Sequence, residues 1–196
     1  MRTKEERKIV RKAVSEPTIE ISTYNCPPSK EDLGLSTNSH LGKLLMAFRS
    51  GKLVSLDFTD YSLRFDALLK KRWPKANRQR VELSREMEQR LDKYFDGDFS
   101  AFQGLELETF GTEFQDLVWQ HLAQIPVGET WSYGQLAAAL GKPSASRAIG
   151  RTNGLNPIAI VLPCHRVVGG SGKLTGYAGG LPRKEWLLHH EKAIRR

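Results

Sequence analysis

The residues with the most evident chemistry stand together in Pro163-Cys164-His165-Arg166-Val167. A thiolate is a strong nucleophile, and a neighbouring imidazole or cation lowers the thiol pKa and can take its proton. Taken alone, the pair also reads as a structural cysteine beside a core histidine. Asn156-Pro157 and the apolar run Ile158–Leu162 lead into it, which places the thiol at the end of a buried strand. Gly169-Gly-Ser-Gly172 and Gly176-Tyr177-Ala178-Gly179-Gly180 follow as loops. Pro182 then opens a last helix carrying Trp186, Leu187, Leu188 and Glu191. With no glycine-rich phosphate or dinucleotide motif, no cofactor is expected.

Positive charge surrounds this chemistry. The 196 residues carry 30 Lys and Arg against 22 Asp and Glu, a net charge of +8. From Thr130 through Lys184 there is no acidic residue and there are seven basic ones. Glu86 to Asp116 is the reverse, with nine acids and two bases. An acid-free basic stretch is the footprint of a polyanion-binding face, although charge alone also fits a basic surface without a partner. Apolar runs such as Ile158–Leu162 stop far short of the roughly 18 residues of a membrane span. Met1–Lys12 is charged and is followed by no apolar stretch, so no secretory signal fits. Two cysteines, Cys26 and Cys164, are too few for a disulfide scaffold and point to a reducing cytosol.

The elements that must position the pair can be read from periodicity. Residues 1–38 mix charge with Ser, Pro and Asn, and read as a largely flexible arm with some short structure. Residues 39–108 read as a small α/β domain. Leu44, Met46 and Phe48 alternate, Ser50-Gly51-Lys52 turns, and Val54, Leu56 and Phe58 alternate again, a hairpin with one buried face. Ser62–Lys71 is helical, Lys70–Arg80 is a basic loop, and a helix capped by Ser84 shows Met87, Leu91, Tyr94 and Phe95 on one face. A strand and linker are expected in Phe99–Phe110.

Residues 109–196 form a second, mainly helical domain. Thr112-Glu-Phe-Gln115 and Ser132-Tyr-Gly-Gln135 are capping boxes that open two helices. Pro143 restarts the chain into a third, with Ala145, Ala148 and Ile149 inward and Arg147 and Arg151 sharing an outward face. The second and third of these helices, joined by Gly141-Lys-Pro-Ser144, have a helix-turn-helix outline whose second member would enter a DNA groove.

Together these stretches resemble the O6-alkylguanine-DNA alkyltransferases, the methylated-DNA–protein-cysteine methyltransferases. The matching segments are Ser132-Tyr133, Ala145-Ser-Arg147-Ala-Ile-Gly150, Asn156-Pro157, Pro163-Cys-His-Arg-Val167, Gly176-Tyr177, and Lys184-Glu-Trp-Leu-Leu188 with Glu191. The likeness is dense over residues 109–192 and looser from Leu41-Gly-Lys-Leu-Leu45 through the hairpin.

The resemblance implies a ribonuclease-H-like first domain without that enzyme's activity, and a winged-helix-like second domain that binds DNA. It implies direct-reversal repair, in which an alkyl group passes irreversibly from O6 of guanine in duplex DNA to Cys164 after the nucleotide flips out. His165 would take the thiol proton through a water, Glu191 would hold the imidazole, and Asn156 would brace the turn carrying the site. Tyr177 would donate a hydrogen bond to the departing guanine, and Tyr133 would rotate the 3′ phosphate. Arg147 would fill the gap in the base stack, with Ser132, Ala145, Arg151, Arg166 and Ala178 also on the DNA side. The protein would act once, without a cofactor, as a monomer able to cluster on DNA. It would work in the cytoplasm at the nucleoid, or in the nucleus of a eukaryote.

The sequence departs from the family at two points. The zinc site of some relatives has only Cys26 and His40 as soft ligands here, so no metal is expected. Ala178 stands where some relatives carry a hydroxyl. Acceptance of O4-alkylthymine stays open, as do three other classes: a lesion-binding protein without transfer, a transcriptional regulator, and a Cys-His hydrolase.

Overall fold

The computed structural model describes residues 16–27 and 41–194. A four-stranded sheet forms its first half, in the order β3-β2-β1-β4. Its strands are β1 (Thr18–Asn25), β2 (Lys43–Arg49), β3 (Lys52–Phe58) and β4 (Asn77–Arg80). β2 runs antiparallel to both β1 and β3, and β4 lies parallel to β1.

β1 corrects the reading of residues 1–38 as an arm. Thr18–Asn25 is an inner strand that buries Ile19 and Tyr24, and its β-branched residues suit a pleated, half-buried surface. Met1–Ser15 and Pro28–His40 lie outside the described residues. The Lys70–Arg80 loop is corrected for the same reason, since β4 exists only because β1 offers it an edge.

Helix α1 (Ser62–Arg72) sets Phe65 and Leu69 against Ile19, Leu45, Ala47 and Val54 on one side of the sheet. Leu44, Met46, Leu53, Leu56 and Phe58 join a larger core with α2 (Arg85–Phe95) and the second half of the chain. The hairpin is therefore buried on both faces rather than one. Each large apolar side chain so buried contributes about 1.5–3 kcal/mol of transfer free energy. Ser84 caps α2 by accepting from the Met87 amide.

Phe99–Phe110 supplies no strand. The outer edge of β3 is shared between two single-residue bridges, Leu53 with Leu107 and Leu56 with Ile158. The second of these joins the sheet to the segment leading to Cys164.

Both capping boxes form, at the start of α3 (Glu113–Leu122) and of α4 (Tyr133–Ala139). A 3-10 turn at Pro143–Ala145 leads into α5 (Ser146–Gly154), and α6 (Leu181–His190) closes the described chain. Ile149 is buried as expected, but Ala148 is exposed and shares the outer face of α5 with Arg147 and Arg151, continued by Ser144 in the preceding turn. Two short parallel strands, β5 (Trp131–Ser132) and β6 (Val167–Val168), tie the start of α4 to the residues after Arg166. The molecule thus has an α/β first half and a mainly helical second half. Among the described residues no helix is long and apolar enough to cross a membrane.

Candidate active site

The expected buried strand before Cys164 is instead a chain of tight turns. Leu162 N–H donates to Ile158 O at 3.0 Å, and Cys164 N–H to Leu162 O at 2.7 Å. Ile160 adopts φ +69°, a left-handed conformation that a β-branched residue rarely accepts. Such strain costs on the order of 1–3 kcal/mol and persists only where the surroundings over-determine it. Here they do. Asn156 Nδ2 donates to Leu162 O at 2.7 Å, while its Oδ1 accepts from Ile158 N–H at 3.0 Å. One side chain thus spans the whole turn.

Cys164, His165 and Arg166 then form a single 3-10 turn, with the thiol only 4% exposed. Burial pushes the Cys164 pKa up, because an ionised sulfur would leave water; a hydrogen bond from Asn156 and the charges of Lys184 and Arg64 work against this. Asn153 Nδ2 holds the Cys164 carbonyl at 3.3 Å. Lys184 is fully buried on α6 and donates to Val167 O and Thr175 O, at 2.5 and 2.6 Å. Burial lowers its pKa to about 8, and the nearby thiol partly offsets that effect.

His165 is wholly buried and its Nε2 stands 3.1 Å from Glu191 Oε1. The contact is an ion-pair approach without full hydrogen-bond alignment, and Nδ1 has no hydrogen-bond partner among the described residues. With Nε2 facing a carboxylate, Nδ1 is the nitrogen free to accept a proton. Glu191 caps the C-terminus of α6 and also accepts from Tyr94 Oη at 2.8 Å and from Arg166. Burial alone would raise its pKa; His165 and Arg166 outweigh that and hold it well below the usual carboxylate range.

Tyr177 packs edge-on to His165, with ring centroids 6.5 Å apart, and its buried hydroxyl has no hydrogen-bond partner among the described residues. Burial, followed by the charges of Cys164 and Asp57, raises its pKa well above the ordinary value, so the phenol keeps its proton. Gly179 is required beside it. A Cβ there would meet Phe58 at 2.5 Å and Tyr177 at 2.8 Å. Tyr133 lies between α5 and the loop before Tyr177, since Cβ atoms on Gly150 and Gly176 would stand 3.5 and 3.4 Å from its ring and hydroxyl.

The other expected residues divide. Ser132 caps α4, with its oxygen accepting from Gln135 N–H at 3.1 Å. Ala145 and Ala178 are half-buried beside α5 and Tyr177, and Arg147 and Arg151 project from the exposed face of α5. Arg166 does not join them. It is buried, with Nε 2.6 Å from Glu191 Oε2, Nη2 3.0 Å from Oε1, and Nη1 donating to Ile125 O at 2.6 Å. A guanidinium with three inward bonds is a strut for Glu191, which corrects its placement on the DNA side.

Residues 113–193 match the family model of the 6-O-methylguanine DNA methyltransferase DNA-binding domain. The methylated-DNA–protein-cysteine methyltransferase of Salmonella typhimurium is 47% identical over 142 residues, covering 71% of this chain and 83% of that protein. The chain belongs to this methyltransferase family. The same-named protein of Mycobacterium leprae is 44% identical over 157 residues, 80% of this chain and 90% of its own length. Among solved structures, Mycobacterium tuberculosis OGT in complex with DNA superposes with a TM-score of 0.70 at 38% identity, over 88% of this chain and 92% of that one.

Within this methyltransferase, sequence reading missed the work of Lys184, Tyr94, Asn153, Asp57 and Arg64. For Lys184 a signal was present. Positions 184, 187, 188 and 191 share one helix face, so a lysine and a glutamate lie on the apolar stripe of α6. The other four are brought to the site by folding alone.

Proposed function

We propose that this methyltransferase repairs O6-alkylguanine in duplex DNA by a single irreversible transfer of the alkyl group to Cys164. The observation that carries the reading is the buried thiol, hydrogen-bonded by Asn156 and within the field of Lys184, beside a buried His165–Glu191 pair whose Nδ1 is free among the described residues. That arrangement follows the logic of a nucleophile, a base and an orienting carboxylate.

The target O6 lies on a paired base edge, so the nucleotide must leave the stack at a cost of roughly a few kcal/mol. The exposed face of α5 suits groove docking: Ala148 is small enough to let the backbone approach, and Arg147 and Arg151 flank it. Arg147 fills the gap and Tyr133 turns the phosphate. Ser132, Ala145 and Ala178 line the DNA side.

The thiol proton passes through a water to His165 Nδ1. Sulfur attacks the alkyl carbon, the S–C bond forms, and the C–O6 bond breaks with its electron pair staying on guanine. The Tyr177 hydroxyl donates a hydrogen bond to the departing base, and the proton held by His165 returns to that base through water, so guanine leaves neutral and His165 is neutral again. The product is a thioether with no carbonyl or phosphoryl for water to attack, so one molecule acts once and needs no cofactor.

The sheet order and the parallel β1–β4 pair support a ribonuclease-H-like first domain, and the α4–α5 pair supports a winged-helix-like second one. In this reading the protein is a monomer that can cluster on DNA, and it works with the chromosome at the nucleoid.

Mass analysis of the peptides after mixing with a duplex containing one O6-methylguanine tests the proposal. One methylene should be gained on the Cys164 peptide, with guanine restored. Cys26 should stay unmodified, because burial pushes its pKa up to about 12. Cys164→Ala should bind the lesion without transfer, and Arg147→Ala should slow transfer from duplex DNA. Lesion binding with unchanged mass in the wild type would make the protein a damage sensor instead.

A further inference from the structure

The first domain reaches the end of α5 and the turn before the thiol through an arginine. Arg64, on α1, donates from Nη2 to Asn156 O at 2.7 Å and to Gly154 O at 3.2 Å. Its Nη1 pairs with the buried carboxylate of Asp57 on β3, which also accepts from Phe58 N–H at 3.0 Å. Gly154 is the last residue of α5, so the guanidinium sits on the carbonyl end of the helix that faces DNA, where a cation is favoured. Asn156 is the residue whose side chain spans the turn before the thiol.

A second set of contacts fixes the same place. Leu56 N–H donates to Pro157 O and Ala159 N–H to Leu56 O, both at 2.9 Å, and Ser55 Oγ donates to Pro157 O at 3.0 Å. Residues 154 to 159 are thus held between β3 and Arg64, at the point where α5 ends and the strained turn begins. Neither Asp57 nor Arg64 contacts the His165–Glu191 pair by hydrogen bond or ion pair.

We propose that Arg64, held by Asp57, is a positioning residue for methyl transfer: it fixes the Asn156 turn against Cys164 and makes the acceptor depend on the seating of α5. The inference rests on the transfer reading above. Because α5 and the turn share one guanidinium, displacement of either is felt by the other. The titratable and charged groups around Cys164 are His165 on its own turn, Lys184 on α6 and Glu191 at its C-terminus, and Asp57 and Arg64 from the first domain, with Tyr177 as a neutral phenol. Arg64 and Asp57 act in opposite senses on the thiol.

The experiment compares wild type with Arg64→Met, Arg64→Lys and Asp57→Asn in the full chain. Single-turnover transfer at increasing protein concentration separates lesion binding from the saturating rate. Iodoacetamide labelling of Cys164 across pH, read by peptide mass, follows the thiol without DNA.

Arg64→Met should keep its affinity for duplex DNA within about twofold and lose about tenfold in saturating rate, the worth of a charge-assisted hydrogen bond. Its labelling profile should move to higher pH. Asp57→Asn, which leaves the cation unpaired, should move the profile to lower pH. Arg64→Lys keeps the charge without the fork, so its profile should stay near wild type with an intermediate rate. If Arg64→Met does not fold, the Asp57→Asn and Arg64→Lys profiles decide the matter. Unchanged rates and profiles, or rate losses matched by equal losses of affinity, would overturn the inference. A wild type that transfers no methyl group would instead remove the functional reading, and the labelling profiles would still judge the clasp.

Discussion

Glu191 and Arg166 form a buried two-pronged pair, with Nε to Oε2 at 2.6 Å and Nη2 to Oε1 at 3.0 Å, and His165 shares the same carboxylate. The carboxylate therefore meets a cation on one side and an imidazole on the other. Its charge is what keeps His165 oriented, and Arg166 is what keeps that charge affordable inside the core.

The pair has an acid limit with a definite sign. The folded pKa of Glu191 is depressed, so its contribution to stability is complete above the ordinary carboxylate pKa and is lost as pH falls toward the lower folded value. Urea unfolding of the wild type should show stability falling as pH drops below about 4.5. Glu191→Gln should already be less stable at pH 7 by about 3–5 kcal/mol, because it leaves Arg166 buried without a counter-charge. It should also have a flatter acid limb and slower transfer. An unchanged acid limb would show that Glu191 is not the group responsible.

Arg166 and Arg151 should separate structure from DNA contact. Arg166→Ala should lower stability by about 3–5 kcal/mol and leave the salt dependence of DNA binding unchanged. Arg151→Ala, on the exposed face of α5, should alter stability by no more than about 0.5 kcal/mol and reduce the slope of log affinity against log salt by about one. Binding titrations at several salt concentrations check both. A reduced slope in Arg166→Ala would restore that residue to the DNA side.

Lys184 should give an alkaline signature. Burial holds its folded pKa at about 8, below the ordinary lysine value of 10.5. Between those values the unfolded chain binds more protons, so this group makes stability rise with pH across that window. Lys184→Met should lose the rise and leave the Val167 and Thr175 carbonyls unpaired. Equilibrium unfolding from pH 7.5 to 10.5 distinguishes the two, and parallel curves would show that the lysine does not titrate there.

Local chemistry and local order were legible in the residues alone. Both capping boxes, the Ser84 cap and the helices they open follow from short-range hydrogen bonds, so they were readable from spacing alone. The Pro163–Val167 motif, Asn156, Tyr177 and Glu191 were readable as a set because a family likeness ties them together at fixed separations. β1 was not readable. Its strand lies amid polar and proline-rich sequence, and its stability comes from pairing with β2 and β4 rather than from its own eight residues.

Which charges are buried depends on long-range packing. Arg166 and Arg151 are the same residue type on the same basic stretch, yet one braces Glu191 in the core and the other faces outward. Ile158–Leu162 has the composition of a buried strand, and burial is what it achieves. Its backbone partners are single residues of β3 and its own turns, so it cannot extend as a strand. Arg64 lies 100 residues before Cys164 and carries no motif. Only the packing of α1 and β3 against the end of α5 brings its guanidinium to Asn156, because the fate of a buried charge depends on partners distant in the chain.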